Sequence, residues 1–357
     1  MVEILKTVQP QSEQEVAAIL RDAQREGAAV IPRGAGTKSD WGNPPSRADV
    51  VLSLAKLNQV TEHAWADLTV TAEAGCTIAE LQRTVALHGQ RLAVDPLWPE
   101  HATVGGVLSA NDTGVLRYRY GGLRDLIIGV TLALADGTLA RSGGKVVKNV
   151  AGYDLPKLVT GAMGTLGVIT SATFRLHPLP RHSRTVTILV PGLNEMQSLL
   201  GKILDAQLAP SALQVRAGAG ARQIDVLFEG IEEGIDTQVD ALSRIAPVSE
   251  GHAEVWNRLD ADAKISVLPS RIAETLEGLD GYAVVEATGI GWVQAHGLTA
   301  LREKIERIGG SLVLMRRHHE ELDAWGSPGD ALPLMRAVKK QFDPRNILNP
   351  GCFVGGI

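Results

Sequence analysis

Cysteine is nearly absent: the 357 residues hold two, Cys76 and Cys352. An iron–sulfur cluster held by the chain's own thiolates needs about four, and a cysteine-rich zinc site about the same. Both are excluded. Two cysteines so far apart form no disulfide framework, and Cys76, which follows a strand-like segment, reads as a buried apolar residue. No apolar run approaches the roughly 18 residues of a membrane-spanning helix. Residues 1–6 lack the basic start and long apolar stretch of a secretory signal, so a cytoplasmic chain is expected. Cations are in deficit, 35 Lys and Arg against 40 Asp and Glu. That excludes a chain whose main task is coating nucleic acid, which needs clustered positive charge. Several ligand signatures are missing as well. No G-x-G-x-x-G opens a helix, Gly144-Lys145 is followed by Val146 where a P-loop needs Ser or Thr, and His319-Glu320 does not continue as H-E-x-x-H. No G-x-S-x-G elbow occurs. No internal repeat is apparent.

What is present is a globular composition, 45% hydrophobic and 21% charged, on a length that suits two or three domains. A helix is expected over residues 12–27, with Ser12 as its cap, Glu15 three residues on and Gly27 at its end. Strands are expected over 29–31, 50–54 and 69–73, and a helix from Thr77 to about residue 87, an α+β pattern. Beyond two prolines at 178 and 180 the pattern resets. Strands fit 184–190, 212–216, 223–228, 264–268, 282–286 and 311–315. Helices fit a start near Leu193 and residues 233–245, 270–276, 294–308 and 331–342. Strands alternating with helices over that stretch predict a second α+β domain on an antiparallel sheet.

Glycine is where the sequence becomes specific. Residues 101–170 hold 13 of the 38 glycines, interrupted by apolar strands over 126–134 and 167–173. Such spacing means tight turns and places where another group approaches the backbone. In Pro32-Arg33-Gly34-Ala35-Gly36-Thr37-Lys38, two glycines allow successive N–H groups to form an anion nest, flanked by two cations. Taken alone this heptapeptide reads as an ordinary strand-to-loop turn. Thr103-Val104-Gly105-Gly106 places two glycines at a helix start, where donors can face an anion. A third piece runs from Gly161 through Gly164-Thr165-Leu166-Gly167-Val168-Ile169 to Thr170, with glycine at every third position ahead of a strand.

Those three pieces, with Tyr120-Gly121-Gly122-Leu123-Arg124-Asp125 and Lys148-Asn149-Val150-Ala151-Gly152-Tyr153-Asp154-Leu155, resemble the FAD-binding (PCMH-type) domain of the vanillyl-alcohol-oxidase flavoproteins. Together with the closing Phe342-Asp343-Pro344-Arg345-Asn346-Ile347-Leu348-Asn349-Pro350-Gly351, they are similar to the glycolate and D-lactate oxidising branch, and to the FAD-binding subunits of bacterial glycolate oxidases. The resemblance covers about residues 25–180 and the C-terminus. It implies an α+β fold: a two-subdomain FAD-binding domain over 1–180 (subdomains about 1–60 and 61–180), a smaller α+β, ferredoxin-like cap over 181–330, and a segment over 331–357 that packs back on the first domain. It implies FAD at Pro32, Arg33, Gly34, Ala35, Gly36 and Thr37 for the pyrophosphate, with Thr103, Val104, Gly105 and Gly106 beside it. Lys148, Asn149, Gly152, Tyr153, Gly164, Thr165, Gly167, Val168 and Ile169 would pack on the ribityl and adenosine parts. Covalent members carry His where this chain has Thr37, and no Cys lies near residues 90–115, so the flavin is expected to be non-covalent.

Oxidising a 2-hydroxy acid needs a cation for the carboxylate and a base for the hydroxyl proton. Arg316-Arg317-His318-His319 is the densest cation and imidazole cluster of the second domain. It places Arg317 and His319 on one side of a strand end, and these two are the catalytic candidates. The competing reading is a solvated strand end. Metal-assisted relatives carry a G-D-G-N-x-H-like motif that is absent here, and no metal site is expected. Arg117-Tyr118-Arg119-Tyr120 is read as a flavin-covering or partner-facing element, and Trp41 and Trp98 as packing or cofactor-cover residues. The resemblance implies a complex with a larger flavoprotein and an iron–sulfur subunit, which can sit at the inner face of a membrane through those partners. Two alternatives stay open: a self-sufficient FAD-dependent dehydrogenase of another hydroxy acid or sugar alcohol, and a non-catalytic assembly subunit of the same fold.

Overall fold

A computed structural model describes residues 6–144, 153–218, 220–257, 260–316 and 322–357. The chain divides into two units. One comprises Met1–Thr113, Gly122–Leu179 and Ser327–Ile357; the other comprises Gly114–Gly121 and Pro180–Gly326.

The first unit starts from a well-signalled helix, Glu13–Glu26. The Ser12 side chain accepts from the Glu15 N–H, and Gly27 ends the helix at φ 73°. Its apolar stripe, Val16, Leu20 and Ala23, is buried. The strands Lys6–Val8, Val50–Ser53 and Val30–Arg33 form a parallel sheet in that order, extended by a parallel bridge from Val30 to Leu348. A second, antiparallel sheet runs Val60–Ala64, Thr69–Glu73, Val168–Arg175, Ile127–Ala133 and Leu139–Gly143. The helices Ile78–Ala86 and Val104–Ala110 are capped by the Thr77 and Thr103 side chains. One apolar cluster runs through both sheets and includes Leu52, Val70, Leu108, Leu132, Ile169, Phe174 and Leu348. Cys76 lies in it, and burial pushes its thiol up to about 11. The C-terminal helix Leu332–Phe342 belongs to this unit, and its Val338 and Phe342 pack on the cluster.

The prolines at 178 and 180 do end the strand, but His177–Pro178 also pairs antiparallel with Gln90–Arg91. Burial, then the neighbouring Arg175 and Arg91, hold His177 below the ordinary imidazole value. The folded chain therefore binds a proton at this site less readily than the unfolded chain does. Stability is fully present above the unfolded value of about 6.5 and declines as pH falls through it toward the folded value. Urea midpoints should fall on acidification, and His177→Gln should flatten that slope; an unchanged slope would remove His177 as its cause.

The second unit is built on an eight-stranded antiparallel sheet in the order Ser249–Glu250, His182–Leu189, Ala221–Gly230, Ala212–Gly218, Gly281–Glu286, Ile290–Ala295, Ala263–Ser266, Ser311–Leu314. A repeat that the sequence does not reveal is plain in this topology. With the helices Leu193–Asp205 and Glu232–Ser243, and then Ile272–Leu276 and Leu298–Arg307, the unit is two successive β-α-β-β-α-β halves. Each half has its fourth strand beside its first and its third between first and second, the ferredoxin-like order. They join edge to edge where Val215 lies opposite Val285.

A second difference is local. The helix expected over 294–308 begins only at Leu298, because residues Ile290–Ala295 form a strand between two neighbours. Its Trp292 and Val293 are buried, and Gly297 turns the chain at φ 67° before the helix. The sheet also buries charge. Asp225 is fully buried and accepts from Arg216 (Nε 2.5 Å, Nη2 2.9 Å), Gln214 (3.1 Å) and Thr187 (2.8 Å). The short helix Arg117–Tyr120 joins this unit: Tyr120 donates to Glu229 at 3.1 Å, Arg117 lies 3.9 Å from buried Glu286, and Tyr118 packs on the core. Those contacts account for Arg117, Tyr118 and Tyr120 within this unit.

Candidate cofactor site

The strand Val30–Arg33 delivers Pro32 and Arg33 to a loop whose shape is set by packing. A Cβ on Gly34 would lie well inside contact distance of Thr103 Oγ1 and 3.1 Å from Thr103 Cβ. Gly36 takes φ 78°, the region that favours glycine. Among the described residues, the backbone N–H groups of Gly34, Ala35, Gly36 and Thr37 donate to no acceptor. Four successive donors with no partner are the signature of a site for an external anion. Arg33 and Ala35 are exposed beside them. Lys38 is not a free cation here: it is buried against Asp112 at 3.1 Å.

Thr103 caps the helix Val104–Ala110 and touches this loop, but its glycines act differently from the expectation. The Val104 N–H donates to Cys76 O (2.8 Å), Gly105 to Ala74 O (2.8 Å) and Gly106 to Thr103 Oγ1 (3.4 Å). The helix start is therefore not an anion site. Gly105 is there for close approach, since a Cβ would stand 2.9 Å from that of Ala74. Half-exposed Gly106 is left able to line a flat ligand. Val104 is a core residue with no exposure.

The third glycine piece lies against the first. A Cβ on Gly164 would meet Asn349 Nδ2 at 3.1 Å and Pro32 Cγ at 3.8 Å. Val168, Ile169 and Thr165 do not offer side chains to a ligand: the first two are core residues of a strand, and Thr165 is buried with its hydroxyl donating to Ala162 O. Gly167 packs close to Ala133 O. Tyr153 is 89% exposed. Lys148, Asn149 and Gly152, with Arg317 and His319, lie outside the described residues. Arg316, beside the last two, is paired with Asp260, which holds its guanidinium charged.

One residue to which the sequence assigns no role enters the site. Asn349 takes φ 41°, donates from Nδ2 to Met163 O and from its N–H to Val30 O, and leaves a buried Oδ1 with no partner. It is held there by a clasp. Lys339 Nζ donates to Thr165 O (2.9 Å), Leu348 O (2.9 Å) and Asp343 Oδ2 (2.7 Å), and Asp343 accepts from Ile347 and Leu348 N–H. The only sequence signal for Asn349 is its place in the closing Asn-Pro-Gly turn.

The residues present fit a dinucleotide: unpartnered main-chain donors for its pyrophosphate, an orphan amide oxygen for a donor group, and glycines that keep Cβ atoms away. Comparison with known proteins agrees. An FAD binding domain matches residues 4–143, and a C-terminal domain of FAD linked oxidases matches residues 317–352. The chain is 32% identical to glycolate oxidase subunit GlcD of Bacillus subtilis, over 96% of this chain and 87% of that one. It is 30% identical to a D-lactate dehydrogenase of Archaeoglobus fulgidus (96% and 90%) and 25% identical to a D-2-hydroxyglutarate dehydrogenase of Xanthomonas citri pv. viticola (96% and 87%). In fold it is similar to alkyldihydroxyacetonephosphate synthase, with a TM-score of 0.71, 19% identity and 96% of this chain matched on 76% of that one. The chain thus belongs to the PCMH-type FAD-linked oxidase family, as an oxidoreductase with an FAD-binding domain.

Proposed function

We propose that this chain is an FAD-binding subunit of a complex that oxidises glycolate or a related 2-hydroxy acid to the 2-oxo acid, with electrons leaving through an iron–sulfur partner. The observation that carries this reading is the run of four unpartnered N–H groups at residues 34–37, on a chain similar along nearly its whole length to a glycolate oxidase subunit. Arg33 and those donors hold the pyrophosphate. Thr37 leaves the flavin without a covalent link, and Asn349 and Gly106 border it. Bound there, FAD supplies the two-electron acceptor for a carbon that bears a hydroxyl. Arg317 holds the substrate carboxylate and His319 takes the hydroxyl proton. The two cysteines, both buried, cannot ligate a cluster, so onward transfer falls to a partner. The self-sufficient alternative draws support from the two relatives described as dehydrogenases.

The test is reconstitution. The purified chain should retain FAD through gel filtration and release it intact on acid denaturation. Anaerobic glycolate should bleach the flavin in the assembled complex, and a double variant Arg317→Ala/His319→Ala should keep the flavin yet lose the bleaching. Bleaching of the isolated chain by a hydroxy acid would favour the self-sufficient reading. A protein that stays colourless with FAD would leave only the assembly role.

A further inference from the structure

The sequence presents Lys38 as a phosphate-binding cation, since it directly follows the anion loop. Its surroundings give it other work. The side chain is 6% exposed, and Nζ donates to Asp112 Oδ2 at 3.1 Å, Thr37 Oγ1 at 3.3 Å and Leu97 O at 3.4 Å. An ammonium has three donors, so these bonds engage all of them. The rings of Trp41 and Trp98 flank it at 5.5 and 5.6 Å, where a desolvated cation is attracted by the aromatic face. Asp112 has no exposure, and its Oδ2 also accepts from the Leu97 N–H at 3.0 Å. One charge pair therefore joins three pieces of chain: the anion loop, the Leu97-Trp98 turn, and the turn that follows the helix Val104–Ala110. Trp98 sits at φ 53°, a conformation that a bulky residue adopts only when its surroundings impose it. Its carbonyl accepts from His101 and Ala102 N–H.

We infer that Lys38 and Asp112 form a buried positioning pair that holds the anion loop in its donor-presenting shape, and that the loop attracts pyrophosphate through main-chain N–H groups and Arg33 without the Lys38 charge. The inference rests on the FAD reading above. The last donor of the loop belongs to Thr37, whose hydroxyl Lys38 grips, so the pair acts on the ligand through Thr37. Removing one partner leaves a buried charge uncompensated, whereas removing both does not. A direct phosphate ligand and a positioning pair thus differ in what Asp112→Asn does. It would free a direct ligand to bind more tightly, and it would loosen a positioned loop.

The experiment compares wild type, Lys38→Met, Asp112→Asn and the double variant. Apoprotein of each is titrated with FAD and with riboflavin, which lacks the pyrophosphate. Each variant is expected to weaken FAD at least about tenfold, with riboflavin within about twofold of wild type. The double variant buries no lone charge and keeps the test open where a single variant does not fold. Tighter or unchanged FAD binding in Asp112→Asn overturns the inference. So does equal loss of FAD and riboflavin, which marks a merely structural pair, or a double variant with wild-type affinity. Wild-type protein that takes up no FAD fails the functional reading itself, and the pair's role falls with it.

Discussion

Asp343→Ala is expected to lower the melting temperature by on the order of 10 °C. The reason is the clasp at the C-terminal end. Asp343 is 1% exposed and accepts from Lys339 Nζ, Ile347 N–H and Leu348 N–H. Without the carboxylate, two buried N–H groups lose their acceptor and the Lys339 ammonium keeps only two carbonyls. Burial already pushes the lysine down from its ordinary value, with Asp343 opposing that shift. Breaking a buried pair from one side costs about 3–5 kcal/mol, while replacing both partners with apolar groups costs much less. Lys339→Met/Asp343→Leu should therefore melt above Asp343→Ala. The damage should also reach the cofactor, since Leu348 bridges to Val30 and Asn349 borders Gly164. Calorimetry and flavin retention on the same samples check both parts. A melting temperature within about 2 °C of wild type would mean that the clasp contributes little.

Gly34→Ala is expected to weaken FAD binding by about ten- to a hundredfold, the equivalent of an overpacking cost of roughly 1–3 kcal/mol. The new Cβ has no room beside Thr103. Thr103 cannot simply turn away, because its hydroxyl caps the helix Val104–Ala110, and losing a cap costs about 1 kcal/mol. Either the loop moves off its donor geometry or the helix start frays. Removing the obstructing hydroxyl should relieve part of the clash, so Gly34→Ala/Thr103→Ala should bind FAD more tightly than Gly34→Ala alone. Titration of FAD into the three apoproteins decides this. Wild-type affinity in Gly34→Ala would show that the loop does not meet the ligand where its free donors lie.

Both predictions rest on residues whose importance was unequally visible beforehand. Ser12, Gly27 and Thr77 announce helix ends through chemistry that acts within three or four residues. They end or begin helices as expected. The strand Thr69–Glu73 likewise shows its period directly. Gly36 of the anion loop was legible because a left-handed backbone position has few alternatives, whereas the close approach of Gly34 to Thr103 was not. The glycine pair at 105–106 was half legible. A need for small residues showed, but whether it served donors or close packing depended on Ala74 and Cys76, which no local pattern includes.

Other features required partners remote in the chain. The segment Ile290–Ala295 has a composition that suits either helix or strand, and two neighbouring strands decide it. The doubled β-α-β-β-α-β unit left no repeat of residue identity in the sequence, since a fold constrains burial and period rather than residue identity. Lys38 looked like a ligand because its charge is visible and Asp112 is not next to it. Asn349 looked like part of a turn because nothing nearby reveals Met163 or Val30.

By itself the sequence determined that this chain supplies too few cysteines for a four-thiolate cluster, where its glycines gather and which helix ends are capped. Each of those follows from counting or from interactions that close within one turn of chain. Tertiary structure alone decided which cations are free, which donors lack partners and which glycines exist for packing. A charge or an N–H group is available to a ligand only if no distant segment has already taken it, and chain order does not carry that information.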